Sequence, residues 1–231
     1  MRVVGEFSLV HRVQPAKVGA APHPGLLLLH GLGSNEEDLM GLAPQVDSRL
    51  TVVSARGPLS HGYGGFSWYE FARDGPGLGS TSIEAAFDLL RGFLIEIIEA
   101  YTLDPSRMYV GGFSQGAAMA GAMALLEPSL LAGGIMISGY LPPEGNRPYP
   151  AERPPGRPFF QAHGTADTVV PLEYAHLSRD LLKRLGVNLT YGEYPVAHSV
   201  SMPEMLDLSR WLGGVLDAGE RAPGSAGEVL G

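Results

Sequence analysis

The segment GFSQG at residues 112–116 has the residue types and spacing of an activated serine. It matches the pattern G-x-S-x-G, follows a short apolar run and precedes a run of small residues typical of a helix. A sharp strand-to-helix turn holds such a serine in a strained conformation and tolerates only small residues two positions away. The turn also points the hydroxyl towards the unpaired N–H groups of the helix. The pattern predicts a nucleophile at Ser114; the alternative is a glycine-rich turn in which the serine is a helix N-cap.

A serine hydroxyl is a weak nucleophile unless a base takes its proton, and a histidine base needs a carboxylate to fix its tautomer. Asp167 follows an apolar run in FFQAHGTADTVVP, and His198 lies between the next apolar run and the last helical pattern. Both are expected at the carboxyl ends of strands, where open α/β sheets form their sites. The chain order Ser, Asp, His is that of the α/β-hydrolase fold. We therefore predict Ser114, Asp167 and His198 as a catalytic triad for acyl transfer.

Other acidic residues and histidines fit these roles less well. Asp104 precedes Pro105 in a turn or helix-start context, whereas Asp74 and Asp180 fall in a loop and a helix. Four histidines occupy a strand, loops or a helix, and none follows the predicted acid at a strand end: His11, His23, His61 and His176. Taken singly, Asp167 is also compatible with a turn residue and His198 with a surface loop histidine. Together with the serine, the three assignments support one another.

Acyl transfer also requires two hydrogen-bond donors aimed at the oxyanion that forms in the transition state. The backbone N–H of Gln115, directly after the nucleophile, is one candidate. In LLLLHGLGSNEED, an apolar strand ends in a glycine turn before a helix start, and this turn can present the N–H of Leu32. The alternative is a tight strand-to-helix turn in which His30 only hydrogen-bonds to loop carbonyls.

Short apolar runs alternate with helical patterns, which predicts a mainly parallel central sheet with helices on both faces. The predicted strands are 3–10, 25–30, 50–55, 107–112, 133–138, 158–162 and 189–194. The predicted helices are 80–101, a shorter one after a Ser34–Glu37 capping box, 171–185 and 203–216. The proline-rich stretch 140–158 predicts a surface loop. We expect one α/β domain over residues 1–216 and a disordered tail over 217–231, which has little to bury.

Composition excludes several classes of function. The 231 residues, 45% of them hydrophobic, suit a single domain with one core. A net charge of -8 without a dense run of Lys or Arg argues against a nucleic-acid partner. With no cysteine, disulfides, thiolate metal sites and a cysteine nucleophile are excluded. No apolar run is long enough for a membrane span, and the first residues lack the pattern of a signal peptide, so we expect a cytoplasmic protein.

Five segments in this order resemble one known family: LLLHGLGSNEEDL, SWYEF, VGGFSQGAAMA, HGTADTVVP and HSV. They are similar to the phospholipase/carboxylesterase family of α/β-hydrolases, which includes acyl-protein thioesterases, over residues 24–212. The resemblance implies a small serine esterase without cofactors, and members of this family often lack a large cap domain. It also implies that Ser114, Asp167 and His198 form the triad and that Leu32 and Gln115 supply the oxyanion N–H groups.

We predict a serine carboxylesterase acting on small-molecule esters of short to medium acyl chains through an acyl-enzyme. Acyl-protein thioesterase and lysophospholipase activities are alternatives. A non-catalytic binding module on the same fold is a further alternative, which the three filled triad positions disfavour. Phe66, Trp68 and Tyr69 are candidates either for lining an acyl pocket or for packing within their loop. Monomer and homodimer both stay open.

Overall fold

The computed structural model describes residues 7–61, 63–70, 80–142, 149 and 156–221. In chain order its elements are β1 (His11–Gln14), β2 (His23–Leu29), a 3-10 helix (Asp38–Gln45), β3 (Thr51–Ala55), β4 (Leu59–Ser60), β5 (Phe66–Ser67), α1 (Ser80–Ala100), β6 (Leu103–Phe113), α2 (Gln115–Leu126), β7 (Gly133–Ile137), β8 (Pro158–Gly164), α3 (Leu172–Arg184), β9 (Asn188–Tyr194) and α4 (Met202–Arg221). None of these described helices is long and apolar enough to cross a membrane.

Seven of the strands form one sheet in the order β1-β3-β2-β6-β7-β8-β9. Every neighbouring pair is parallel except β1 and β3, which are antiparallel. Strands β4 and β5 form a separate hairpin. Because parallel strands end at the same edge of a sheet, the loops after β2, β6 and β8 come together there. This edge carries the predicted oxyanion loop, the predicted nucleophile and the predicted acid.

The sheet is covered on both faces, which explains why four consecutive leucines, residues 26–29, are all buried. Leu27 and Leu29 pack into the cluster formed with α1, α2 and α3. Leu26 and Leu28 pack on the opposite face, against the 3-10 helix and α4. The fold prediction of a mainly parallel sheet with helices on both faces is confirmed, and the described residues contain no cap domain.

The first predicted strand is wrong over residues 7–10. Leu9 is buried and Phe7 packs against the core, but the ladder begins only at His11, which pairs with Ala55. The N–H of Ser8 donates instead to the carboxylate of Glu96 in α1, at 2.8 Å. Apolar alternation here reflects packing on a helix and not strand pairing. Residues 3–6 of this predicted strand lie outside the described residues.

The predicted capping box after β2 is also wrong. The side chain of Asn35, and not of Ser34, accepts the N–H of Glu37, at 2.9 Å. The hydroxyl of Ser34 donates to the carboxylate of Asp38, and the helix that follows is a 3-10 helix. An Asx turn therefore competes successfully with the cap that the spacing suggested.

The predicted end of the domain at residue 216 falls inside α4, which continues to Arg221. The expectation of a disordered tail is therefore wrong for residues 217–221. Leu216 is buried, and Asp217 accepts a hydrogen bond from Arg49, at 2.8 Å, which binds the last turns to the body of the protein. Residues 222–231 lie outside the described residues.

The start of α4 buries a carboxyl group. Glu204 accepts the N–H of Ser201 at 3.2 Å, and the Ser201 hydroxyl accepts the N–H of Glu204 at 3.4 Å, which forms a reciprocal capping box. Within the described part of the chain, the other carboxyl oxygen of Glu204 has no partner. Burial raises the pKa of Glu204 to about 7.

Glu204→Gln is expected to change the pH dependence of stability. The pKa of Glu204 in the folded protein lies above its ordinary value of 4.5. The contribution of Glu204 to the unfolding free energy is therefore complete below pH 4.5 and is lost as the pH rises through about 7. Glutamine keeps the cap and cannot ionise. The unfolding free energy of the variant minus that of wild type should therefore be larger at pH 8 than at pH 5, by up to about 3 kcal/mol. Urea unfolding across this range measures the difference.

The matched control is Glu173→Gln, at an exposed carboxylate in the first turn of α3. Relative to wild type, its unfolding free energy should not rise between pH 5 and pH 8 as that of Glu204→Gln does. If Glu204→Gln also follows wild type, the buried carboxyl does not titrate near neutrality.

Candidate active site

Ser114 occupies the turn between β6 and α2 in a conformation that few non-glycine residues adopt, with φ 53° and ψ -117°. Its N–H donates to the carbonyl of Ile137, at 2.9 Å, and its carbonyl accepts the N–H groups of Ala117 and Ala118. Such a backbone costs on the order of 1–3 kcal/mol and persists only where surrounding contacts fix it. The hydrogen bonds on both sides of the serine supply that constraint.

The glycines that flank the serine are required by space. A Cβ at residue 112 would lie 2.3 Å from the carbonyl of Gly116. At residue 116 it would lie 2.0 Å from the carbonyl oxygen of Leu29, at the end of β2. Both distances are far inside van der Waals contact, so the turn can approach the sheet only with glycine at both positions. The predicted need for small residues is confirmed.

The structure brings the three predicted polar side chains together. The Ser114 Oγ lies 3.0 Å from His198 Nε2, and His198 Nδ1 lies 2.7 Å from Asp167 Oδ2. A carboxylate can only accept, so His198 donates its Nδ1–H to Asp167. The Nε2 atom is then the acceptor for the serine hydroxyl. Residues separated by 84 and 31 positions thus form one continuous hydrogen-bonded chain.

Asp167 lies in the loop between β8 and α3, and its side chain is completely buried. Its Oδ1 accepts the N–H groups of Val169 and Val170, each at 2.9 Å. Burial alone would raise the pKa of Asp167, but the hydrogen bonds from His198 and from these two N–H groups outweigh it and hold the pKa below the ordinary value. The carboxylate is therefore ionised at neutral pH.

Two further side chains, those of His163 and Phe113, support this hydrogen-bonded chain. Neither was predicted from the sequence. His163, fully buried at the end of β8, has its Nε2 2.8 Å from the carbonyl of Val170 and 3.6 Å from Asp167 Oδ2. It thereby fixes the peptide group next to the two N–H donors on Asp167. The ring of Phe113 lies 4.8 Å from the ring of His198. Their only sequence signals were the histidine in HGTAD and the residue before the serine in GFSQG.

Leu32 and Gln115, the predicted oxyanion donors, line the same cleft as Ser114 and His198. The cleft has a volume of about 410 Å³. Among the described residues, neither of these two N–H groups donates a hydrogen bond to another protein group. The cleft is therefore bordered by two residues whose backbone N–H groups are unpaired among the described residues, and an oxyanion site requires two such donors.

His30 controls the peptide group that carries the Leu32 N–H. Its Nε2 accepts the N–H of Gly57 at 2.9 Å, so its Nδ1 carries the proton and donates to the carbonyl of Gly31 at 2.7 Å. Burial lowers the pKa of His30 and keeps the ring neutral. The Gly31 carbonyl and the Leu32 N–H belong to one planar group, so fixing the carbonyl fixes the direction of the N–H. The two alternatives for HGLG, oxyanion loop and carbonyl-bound histidine, are compatible.

The predicted pocket residues divide between two roles. Tyr69 lines the cleft. Trp68 is 1% exposed, and its indole N–H donates to the carbonyl of His30, at 2.8 Å. The guanidinium of Arg56 lies over the ring of Phe66, with its central carbon 4.5 Å from the centre of that ring. Phe66 and Trp68 are not among the described residues that line the cleft, and their contacts fit the alternative of packing within the loop.

The side chain of Gln115 attaches this segment to the nucleophile turn. Its Oε1 accepts the N–H of Trp68 at 2.9 Å, and its Nε2 donates to the carbonyl of Tyr69 at 2.8 Å. Only the backbone N–H of Gln115 was predicted from the sequence to have a role. Its buried amide also fixes the position of Tyr69 at the cleft wall.

The described residues contain no group of three or more His, Asp or Glu side chains that could hold a metal ion. The serine, the histidine and the carboxylate have the relative arrangement that acyl transfer by such a set of side chains requires.

Residues 13–215 match the family model described as Phospholipase/Carboxylesterase. The chain belongs to the phospholipase/carboxylesterase family. It is therefore a hydrolase of the α/β-hydrolase superfamily, as the resemblance of its motifs implied.

Relatives of known name agree with this family assignment. Acyl-protein thioesterase 1 of Yarrowia lipolytica is 31% identical over 218 residues, which cover 86% of this chain and 93% of that protein. A probable carboxylesterase of Oryza sativa is 29% identical, over 92% of this chain and 86% of the relative. The crystal structure of the Bacillus cereus carboxylesterase superposes with a TM-score of 0.77 and 26% identity, over 89% of this chain and 94% of that one.

Proposed function

We propose that the chain is a serine carboxylesterase that hydrolyses small carboxylic esters through an acyl-enzyme on Ser114. The observation that carries the proposal is the hydrogen-bonded chain from the Ser114 hydroxyl through His198 to Asp167. Two unpaired backbone N–H groups, those of Leu32 and Gln115, border the same cleft. This combination supplies a nucleophile, a base and an oxyanion site.

In the first half of the reaction, Ser114 Oγ attacks the ester carbonyl carbon while its proton passes to His198 Nε2. The carbonyl oxygen becomes an oxyanion, which the N–H groups of Leu32 and Gln115 stabilise. The tetrahedral intermediate collapses with cleavage of the bond to the alcohol oxygen. That oxygen takes the proton from His198, and the alcohol leaves.

In the second half, water attacks the acyl-serine carbonyl and gives its proton to His198. Collapse of the second tetrahedral intermediate returns that proton to Ser114 Oγ and releases the carboxylic acid. Asp167 remains ionised throughout because three hydrogen bonds hold its pKa low. Its charge stabilises the imidazolium form of His198 in both halves.

The cleft favours neutral substrates. None of the described residues that line it is Asp, Glu, Lys or Arg, and Leu32 and Val169 expose apolar side chains there, 51% and 65% accessible. A charged headgroup would find no counter-ion among these residues. We therefore propose neutral esters of short to medium acyl chain as substrates.

An acyl-protein thioesterase activity is the second candidate, because a relative at 31% identity bears that name. The same residues can attack a thioester, since the reacting carbonyl differs only in its leaving atom. Rates for p-nitrophenyl acetate, p-nitrophenyl octanoate and a palmitoyl-thioester peptide separate the two. The proposal expects the thioester to be the slowest of the three; the reverse order identifies a thioesterase.

Ser114→Ala is expected to abolish turnover of p-nitrophenyl acetate. Loss of the nucleophile should lower kcat by roughly four to six orders of magnitude. Spectrophotometric release of p-nitrophenol measures it. Wild-type turnover should be unchanged by a metal chelator, because the proposed chemistry needs no metal. Full activity in Ser114→Ala would remove the serine from the mechanism.

A cytoplasmic location and the choice between monomer and homodimer stay predictions.

A further inference from the structure

Tyr140 lines the cleft as a half-buried side chain, shortly after β7 ends at Ile137. Its hydroxyl makes no hydrogen bond to any described residue. Two other sets of polar groups at the cleft have roles in the proposed reaction: Ser114 and His198 hydrogen-bond to each other, and the N–H groups of Leu32 and Gln115 bind the oxyanion. Among the described residues no group pairs with this tyrosine hydroxyl, so it is available to a ligand that enters the cleft.

The phenol is held in place by its neighbours. Its ring lies 5.3 Å from the ring of Tyr174 in α3. The N–H of the next residue, Leu141, donates to the hydroxyl of Ser178 at 2.8 Å, and that hydroxyl donates to the carbonyl of Tyr174 at 2.9 Å. The segment is thus attached to α3 through both its backbone and its aromatic contact. A donor fixed in this way loses little entropy when it binds a ligand.

We propose that Tyr140 is a specificity-determining residue whose hydroxyl donates a hydrogen bond to an oxygen of the substrate other than the ester group. The inference rests on the proposed esterase function and narrows its substrate class. The preferred substrates are neutral esters that carry a further uncharged acceptor, such as an ether, hydroxyl or second ester oxygen, and not plain alkyl esters.

The electrostatics of the cleft agree with a neutral acceptor. Burial raises the pKa of Tyr140 above its ordinary value of 10, so the phenol is protonated at neutral pH and acts as a donor. With no Lys or Arg among the described lining residues, nothing there selects an anion. A few well-placed polar groups in a mostly apolar cleft are what usually fix the orientation of a small ligand.

The test combines Tyr140→Phe, which removes only the hydroxyl and keeps the ring against Tyr174, with two pairs of isosteric esters. On the acyl side the pair is p-nitrophenyl pentanoate and p-nitrophenyl 3-methoxypropanoate. On the alcohol side it is butyl butyrate and 2-methoxyethyl butyrate. Within each pair, the second ester has an ether oxygen in place of one methylene of the first. The intrinsic reactivity of an ester cancels when variant and wild type are compared on that same ester.

In one of the two pairs, Tyr140→Phe should lower kcat/KM for the oxygen-bearing ester by about fivefold relative to its alkyl partner. The effect is the change in the ratio of the two kcat/KM values within a pair, and thermal unfolding should be unchanged. The pair that responds identifies the side of the ester that Tyr140 contacts. If neither ratio changes, the assignment of Tyr140 is overturned while the esterase proposal stands. If wild type hydrolyses none of the four esters, the proposed function fails, and this inference with it.

Discussion

His198→Ala is expected to lower kcat for p-nitrophenyl acetate by roughly four to six orders of magnitude, with little change in stability. The imidazole is the acceptor within reach of the Ser114 hydroxyl, at 3.0 Å, and its removal leaves that hydroxyl without a base. It also removes the acid that protonates the leaving alcohol. Steady-state kinetics, with circular dichroism to confirm folding, measure the effect. Added imidazole should restore a small part of the activity, because it can enter the space that the side chain leaves.

The matched control is His176→Ala, at a partly exposed histidine of α3 that pairs with Glu193, at 2.8 Å. It lies outside the residues that line the cleft, and kcat should stay within about twofold of wild type. A His198→Ala protein that is folded and nearly as active as wild type would assign the base to another residue.

Gly116→Ala is expected to destabilise the protein by roughly 4 kcal/mol or more, or to prevent folding. The added methyl group would lie 2.0 Å from the carbonyl oxygen of Leu29, an atom of the central strand β2 that hydrogen bonds hold in the sheet. Relief requires α2 to move away from the sheet, which would displace Ser114 from His198. Chemical denaturation, or the soluble yield where the variant does not fold, measures the loss.

Gly92→Ala provides the comparison for this prediction. Residue 92 lies within α1, and a Cβ added there meets nothing within 4 Å. The same substitution should therefore be neutral or should stabilise by up to about 1 kcal/mol, because alanine has the higher helix propensity. If Gly116→Ala unfolds at the same denaturant concentration as Gly92→Ala, the close approach of the turn to β2 is not a constraint.

The sheet and the positions of the three polar side chains could be predicted because they depend on local patterns and one topological rule. A run such as residues 26–29 is apolar at every position only when both faces of a strand are buried. Parallel strands then end at one edge, so residues that follow β6, β8 and β9 must meet there, however far apart they are in the chain. This rule needs no side-chain detail.

The roles of Trp68 and Gln115 could not be predicted, because they depend on which of two possible surfaces a side chain faces. An aromatic residue in a loop near a cleft is compatible with lining the cleft and with packing behind it. The decision comes from specific hydrogen bonds: the Trp68 indole finds the carbonyl of His30, and the Gln115 amide spans two backbone groups. Sequence spacing contains no information about these pairings.

The end of α4 illustrates a different limit. Residues 217–221 have the polar, glycine-containing composition of a tail, yet Arg49 binds Asp217 from a loop more than 160 positions earlier. Helix propensity at a chain end is weak, and a single long-range contact can extend the last turns. Composition alone therefore placed the boundary too early.

Reaction of the folded protein with a fluorophosphonate probe, followed by mass spectrometry of the tryptic peptides, tests the central claim most directly. Such a probe phosphonylates a serine only where a base activates it and donors stabilise the resulting oxygen charge. We expect one adduct, on Ser114, that is absent in Ser114→Ala and in heat-denatured wild type. A folded wild-type protein that stays unlabelled, or an adduct at another residue, would contradict the proposed mechanism.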